Sequence, residues 1–164
     1  MTKLLPETPA VPVVRTDFSD QAAWERVKAG IGWVTPDEFK ADVTFVDDPT
    51  FEGVPVADLL ERLPKGGGHA LLLVVDETTI RSPEYPVLVV DLGSEPDPED
   101  DWPGEPAGRS FRALPHTIQE IENNLSIANM DWEEFADDVD DDGVRRQHML
   151  YGGVENLADA KAVG

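Results

Sequence analysis

The chain has 164 residues, 40% of them apolar, with no cysteine and 34 acidic against 13 basic side chains. That length is ordinary for one domain. A formal charge of −21 repels nucleic-acid phosphates and anionic headgroups, so direct binding to DNA, RNA or a membrane surface is not expected. The missing cysteine excludes a disulfide framework, a thiolate nucleophile and a Cys-based metal site, and agrees with a cytoplasmic setting.

Residues 1–10 carry two prolines and little pattern, and read as a disordered lead-in. No apolar run follows Lys3, so no export signal is expected. Val11 to Val14 reads as a first strand. Ser19 is placed to cap a helix through Trp24 and Val27 that ends at Gly30. Thr35-Pro36-Asp37-Glu38 has the pattern of a short helix start, with proline at the first helical position. Val43 to Val46 is a second strand, closed by Asp47-Asp48-Pro49. Val56, Leu59, Leu60 and Leu63 fall at helical spacing before Pro64 and the glycines up to Gly68, which read as a linker.

Ala70 to Val75 is continuously apolar, as in a strand covered on both faces, and is far too short to span a membrane. Thr78 to Pro86 is too short for a crossover helix. Val87 to Leu92 is a fourth strand, residues 93–108 an acidic, proline-rich loop, and Ser110 to Leu114 a fifth strand paired as a hairpin. Pro115 opens a helix with an apolar stripe at Ile118, Ile121 and Leu125. Asp131 and Glu134 frame a capping box for a last helix with Trp132 and Phe135. Residues 145–164 read as a tail, with a helical turn at 154–160. The expected fold is α/β, a mixed sheet of about five strands with about four helices. Its early strands are parallel and its last ones antiparallel. Residues 11–144 form the single domain. Trp24, Val27, Leu59, Leu60, Leu72, Val74, Leu88, Val90, Ile118, Ile121 and Leu125 are its expected core.

Two constellations of carboxylates bear on chemistry. Asp17, Asp47 with Asp48, Asp76 and Asp91 each follow a strand, where ligands of open α/β sheets bind. Carboxylates converging there could hold Mg²⁺. An Asp in that place also makes a turn or caps the next helix with no ligand at all. Asp138, Asp140 and Asp142, followed by Gly143, match the first half of a calcium loop, and are the candidate metal ligands for Ca²⁺. The second half does not match, because Met149 stands where a bidentate Glu is needed. His69, His116 and His148 are far apart in sequence and lack metal-ligand spacing. No Ser lies in a Gly-x-Ser-x-Gly elbow. Asn123, Asn124 and Asn129 serve either to break and cap helices or as a polar recognition face.

The segments Arg15-Thr-Asp-Phe-Ser-Asp20, Phe45-Val-Asp-Asp-Pro49, Tyr85-Pro-Val-Leu-Val-Val-Asp-Leu92 and Gly108-Arg-Ser-Phe-Arg112 form a recognisable set. With Glu122-Asn-Asn-Leu-Ser-Ile-Ala-Asn-Met-Asp131, Glu133-Glu-Phe-Ala136 and Asp142-Gly-Val144, they resemble a small domain-of-unknown-function family of high-GC Gram-positive bacteria. The likeness covers about residues 11–144. The loop 94–107 is longer and more acidic than the family pattern, and the tail departs from it. The resemblance implies one domain in a bacterial cytoplasm, and no catalytic residue.

Charge ranks the functions. Residues 95–105 hold six acids and residues 131–142 hold eight, a distribution suited to a basic protein partner. The first expectation is therefore a non-enzymatic binding domain, inhibitor-like or immunity-like towards a basic protein. Asp97, Glu99, Asp100, Asp101, Asp137, Asp138, Asp140 and Asp141 are its contact residues, and Trp102 is an aromatic anchor. The alternatives are a Mg²⁺- or Ca²⁺-dependent enzyme or binder on the strand-end carboxylates, and an accessory structural domain with no ligand.

Overall fold

A strand that is apolar at every position suits only the interior of a sheet covered on both faces. In the computed structural model, which describes residues 3–64 and 68–152, Leu71–Val75 (β3) is such a strand, and Val11–Arg15 (β1), apolar up to its closing Arg15, lies beside it; both are buried throughout. Val43–Val46 (β2) flanks β1, while Val87–Asp91 (β4), Ser110–Ala113 (β5) and Val144–Arg145 (β6) extend the sheet beyond β3. The order is β2-β1-β3-β4-β5-β6. The pairs β2–β1, β1–β3 and β5–β6 are parallel, and β3–β4 and β4–β5 antiparallel. The expected mixed sheet is therefore present, with an unexpected sixth strand that straddles the boundary between the expected domain and its tail.

Side chains alternate across the strands, so each face builds its own core. On one face Leu71, Leu73 and Val75 meet Gln21–Ile31 (α1), Ile118–Ser126 (α4) and Trp132–Ala136 (α5) through Trp24, Ile121 and Phe135. On the other, Leu72, Val74 and Val90 meet Val56–Glu61 (α2), Leu5 and Phe51. The expected core residues line these two cores, with Leu60, Leu88 and Leu125 only half-buried. Among the described residues no helix is long and apolar enough to cross a membrane.

Several local expectations change. The cap of α1 is Asp20, one place beyond Ser19, and its carboxylate accepts the Ala23 N–H at 3.0 Å. Ser19 instead donates its own N–H to Asp17 at 2.8 Å. Thr35-Pro36-Asp37-Glu38 does not start a helix. The Thr35 hydroxyl accepts the Phe39 N–H at 3.0 Å, and the Thr35 N–H donates to the Phe39 carbonyl at 2.8 Å. Glu38 takes φ 70°, a left-handed conformation that ends helical propagation. A short helix, Glu77–Arg81 (α3), does form between β3 and β4, because Asp76 caps it through the Thr79 N–H at 3.1 Å.

Residues 3–10, expected as an unstructured lead-in, lie against the second core. Leu5 is buried there and donates its N–H to the Arg62 carbonyl at 2.7 Å, and Lys3 pairs with Asp48. The described part of the expected tail is equally engaged, since Arg145 and His148 are buried. The glycine linker at 65–67 and the helical turn at 154–160 lie outside the described residues.

Candidate interaction site

The loop between β4 and β5 is an ordered arm. Ser94 and Glu105 exchange both backbone hydrogen bonds at 3.0 Å, and Asp97 and Trp102 exchange both at 2.8 Å. The Ser94 hydroxyl accepts the Trp102 indole N–H at 3.2 Å, and Asp97 accepts the Glu99 N–H at 3.0 Å at the tip. Glycine is required at the root: a Cβ on Gly93, at φ 74°, would lie 2.4 Å from the Glu105 carbonyl oxygen. Glu95, Asp97, Glu99, Asp100 and Asp101 are all exposed, and none meets a Lys or Arg among the described residues. Trp102 stands among them, 43% exposed. Among the described residues these five carboxylates therefore have no cation beside them, and one aromatic surface stands with them.

Arg109 anchors this arm and joins it to the second acidic segment. Its guanidinium reaches Asp91 at 2.6 Å, Glu105 at 3.8 Å and Glu133 at 2.8 Å, and lies over the Trp132 ring. Trp132 in turn packs on Phe111, with centroids 4.9 Å apart, and belongs to the first core. Glu133 is held below the usual carboxylate range by the backbone N–H at the start of α5 and by Arg109.

The run at 137–142 is arranged differently, because arginines occupy it. Arg145 bonds Asp138 at 3.2 Å, and Arg146 bonds Asp140 at 2.8 Å and Asp142 at 2.7 Å. Arg146 also holds Glu84 at 2.9 Å, and these carboxylates raise its pKa further above the ordinary arginine value. Asp142 accepts the Val144 N–H at 3.2 Å, and Gly143 takes φ 79° to turn the chain into β6. The calcium-like spacing is thus a turn whose three acids face guanidinium groups. Only Asp137 and Asp141 of this run have no cationic partner among the described residues.

The strand-end acids are likewise claimed singly. Asp47 meets Arg15 at 3.2 Å, and Asp76 meets Arg112 at 2.8 and 3.0 Å. Asp91 lies at the opposite edge of the sheet because β4 runs antiparallel to β3. Burial opposes ionisation of Asp76, but hydrogen bonds from Arg112 and the Thr79 N–H outweigh it and leave the pKa lowered. Asp48, bonded by Lys3 and the Thr50 N–H, is lowered to about 2. Between the ends of β1 and β3 lies a crevice of about 420 Å³ bordered by Asp17, Glu52, Asp76 and Glu77. This is where chain order reverses in a 2-1-3 sheet. Among the described residues no three His, Asp or Glu side chains are placed to hold a metal ion.

An apolar groove of about 390 Å³ lies between α4 and the segment after β6, with Phe39, Ile127, Met149 and Leu150 on its walls. Polar side chains that reach it are already bonded. Asn123 donates to the Lys40 carbonyl at 3.1 Å, and Asn124 to the Glu120 carbonyl at 2.8 Å. Asn129 donates to Asn124 at 2.9 Å. The three asparagines therefore close the end of α4 rather than offer a free amide face.

Sequence reasoning found the acids but missed the arginines that sort them: Arg109, Arg112, Arg145 and Arg146. Their only signal was scarcity, since 13 basic side chains among 34 acids each have several claimants. It also missed that His116 and His148, 32 positions apart in the chain, flank the same indole, Trp33. No curated protein sequence matches the chain. The model of a domain of unknown function, DUF6924, matches residues 10–148, a span that takes in the fold, the acidic arm and every arginine described above, and the chain belongs to that family.

Proposed function

We propose that this protein is a non-enzymatic binding domain that presents the acidic arm at 94–105 to a basic protein, in the manner of inhibitors and immunity proteins. The observation that carries this reading is the contrast between the two acidic segments. Among the described residues the arm's exposed carboxylates have no Lys or Arg beside them, whereas Asp138, Asp140 and Asp142 are answered by Arg145 and Arg146. Uncompensated charge on an ordered ladder steers an oppositely charged partner and speeds encounter. Trp102 supplies the apolar contact that charge alone lacks, since tryptophans recur among the residues that dominate binding energy. Asp137 and Asp141 are secondary contacts in this scheme. The setting is the cytoplasm of a high-GC Gram-positive bacterium.

The test is affinity capture from the native host with the full chain as bait. The control carries Asp97→Asn, Glu99→Gln, Asp100→Asn and Asp101→Asn together. Basic proteins should be retained by the natural chain at low salt and lost from the control. They should be released as salt rises, because the Debye length falls from about 10 Å at 0.1 M to about 3 Å at 1 M. Capture of the same proteins by both baits, indifferent to salt, would sink the proposal and leave the charge as a solubility device.

A further inference from the structure

The two histidines at Trp33 also grip the segment that follows β6. Both are buried, at 2% exposure for His116 and 4% for His148. Their rings stand edge-on to the indole, with centroids 6.1 and 5.8 Å away, and Tyr151 adds a third ring at 6.0 Å. The His148 Nδ1 accepts the Leu150 N–H at 3.1 Å, so that nitrogen carries no proton. Its Nε2 is then the protonated one and donates to the Gln119 Oε1 at 2.8 Å. The backbone turns tightly here: His148 and Gly152 exchange both N–H bonds at 2.9 Å. His116 Nε2 reaches the same Gly152 carbonyl at 3.3 Å.

We propose that residues 147–152 form a pH-sensitive latch, closed over Trp33 while His148 is neutral and opened when His148 takes up a proton. A proton on Nδ1 sets one donor against another, the Leu150 N–H, and removes the acceptor on which the turn closes. Among the described residues only one facing group favours the imidazolium. Glu120 of α4 lies 3.4 Å from Nδ1, but its oxygens already take Arg145 and the Met149 N–H, the latter at 3.1 and 2.9 Å. Arg145 from β6 and His116 from the turn before α4 both oppose a second cation. Asp138 lies behind Arg145, bonded to it. Tyr151 is bonded to Asp37 across the latch, and this carboxylate raises the phenol's pKa. Gln119 and Trp33 are neutral.

Burial pushes both imidazoles below the ordinary histidine value, against the pull of the Gly152 carbonyl on His116 and of Glu120 on His148. A histidine whose folded pKa is depressed stabilises the closed form fully above its unfolded pKa of about 6.5. That stability is lost as pH falls through the folded value. Opening therefore sets in on the acid side of about pH 6.5. Met149 and Leu150 belong to the latch, so opening also dismantles one wall of the apolar groove.

The test uses the full chain labelled with ¹⁵N between about pH 7.5 and about pH 5. Long-range proton–nitrogen spectra read the tautomer and titration midpoint of each histidine. Amide exchange, corrected for its intrinsic pH dependence, reads protection at Met149, Leu150 and Gly152. That protection should fall about tenfold or more with the midpoint of the His148 ring, while Val13 and Leu72 stay protected. His148→Asn places Oδ1 where Nδ1 was, keeps an acceptor for the Leu150 N–H and cannot titrate. Its latch should be equally protected at both ends of the range. If the His148 ring titrates while the latch keeps its protection, the proposal fails, and it fails too if the variant opens with an unchanged midpoint. Should the variant not fold, the comparison of ring and amide midpoints in the natural chain decides alone.

Discussion

Removing Glu120 should unfasten the C-terminal part of the domain from its core. Glu120 and Arg145 are 4% and 1% exposed and bond each other. Glu120 also accepts the Met149 N–H with both oxygens. Glu120→Ala leaves a buried guanidinium whose one remaining carboxylate among the described residues is Asp138 at 3.2 Å, itself 62% exposed. Breaking one side of a buried pair costs about 3–5 kcal/mol. A domain of this size is stable by about 5–15 kcal/mol and shifts its Tm by about 2–4 °C per kcal/mol. Equilibrium urea unfolding followed by circular dichroism should show the loss as a lower midpoint, with a fall in Tm of about 6–20 °C. Replacing both partners, Glu120→Leu with Arg145→Met, should restore most of it, since apolar substitutes avoid the desolvation cost of two charges. A loss below about 1 kcal/mol for Glu120→Ala would refute the reasoning, and residues past Val144 would then be the loose tail their composition suggests.

Leu72→Ala and Ile121→Ala should each cost about 2–5 kcal/mol in urea unfolding, and their effects should add, because they sit in separate cores. Neutralising Asp97, Glu99, Asp100 and Asp101 should leave Tm unchanged or raise it by relieving repulsion. Neutralising Asp138 and Asp140 should lower it, since arginines lose their partners; equal responses would contradict the division between the two segments. Millimolar calcium should produce no saturable rise in Tm, because Arg146 already holds Asp140 and Asp142. A rise abolished by Asp140→Ala would overturn that assignment. Asp76, whose pKa is depressed, should contribute stability in full above its unfolded value of about 3.9 and lose it as pH falls further. Asp76→Asn should flatten the acid limb of the stability curve, and an unaltered limb would show that Arg112 does not stabilise the carboxylate.

The strands and both cores were legible because burial on two faces demands apolar residues at every position, and Leu71 to Val75 can satisfy nothing else. Capping chemistry was legible to within a residue. Both Ser19 and Asp20 can accept an N–H, and only the backbone path chose Asp20. The Thr35 turn was misread because the same side chain that caps a helix can also close a loop, and the choice rests on Glu38 adopting φ 70°.

Charge was countable in the sequence but not assignable. A carboxylate says nothing about which guanidinium it will meet, so the arm and the 137–142 run looked alike until the fold set Arg145 and Arg146 beside the second and, among the described residues, only Arg109 at the root of the first. The sixth strand has two residues, too few to carry a period, and exists because β5 offers it a free edge. Glu120 and Glu122, written like surface positions of an amphipathic helix, are buried because Arg145 and the Asp42 N–H come from elsewhere in the chain to meet them. Apolar periodicity acts over a few residues and can be read locally, whereas ion pairs and the meeting of His116 with His148 depend on contacts that only chain closure brings within reach.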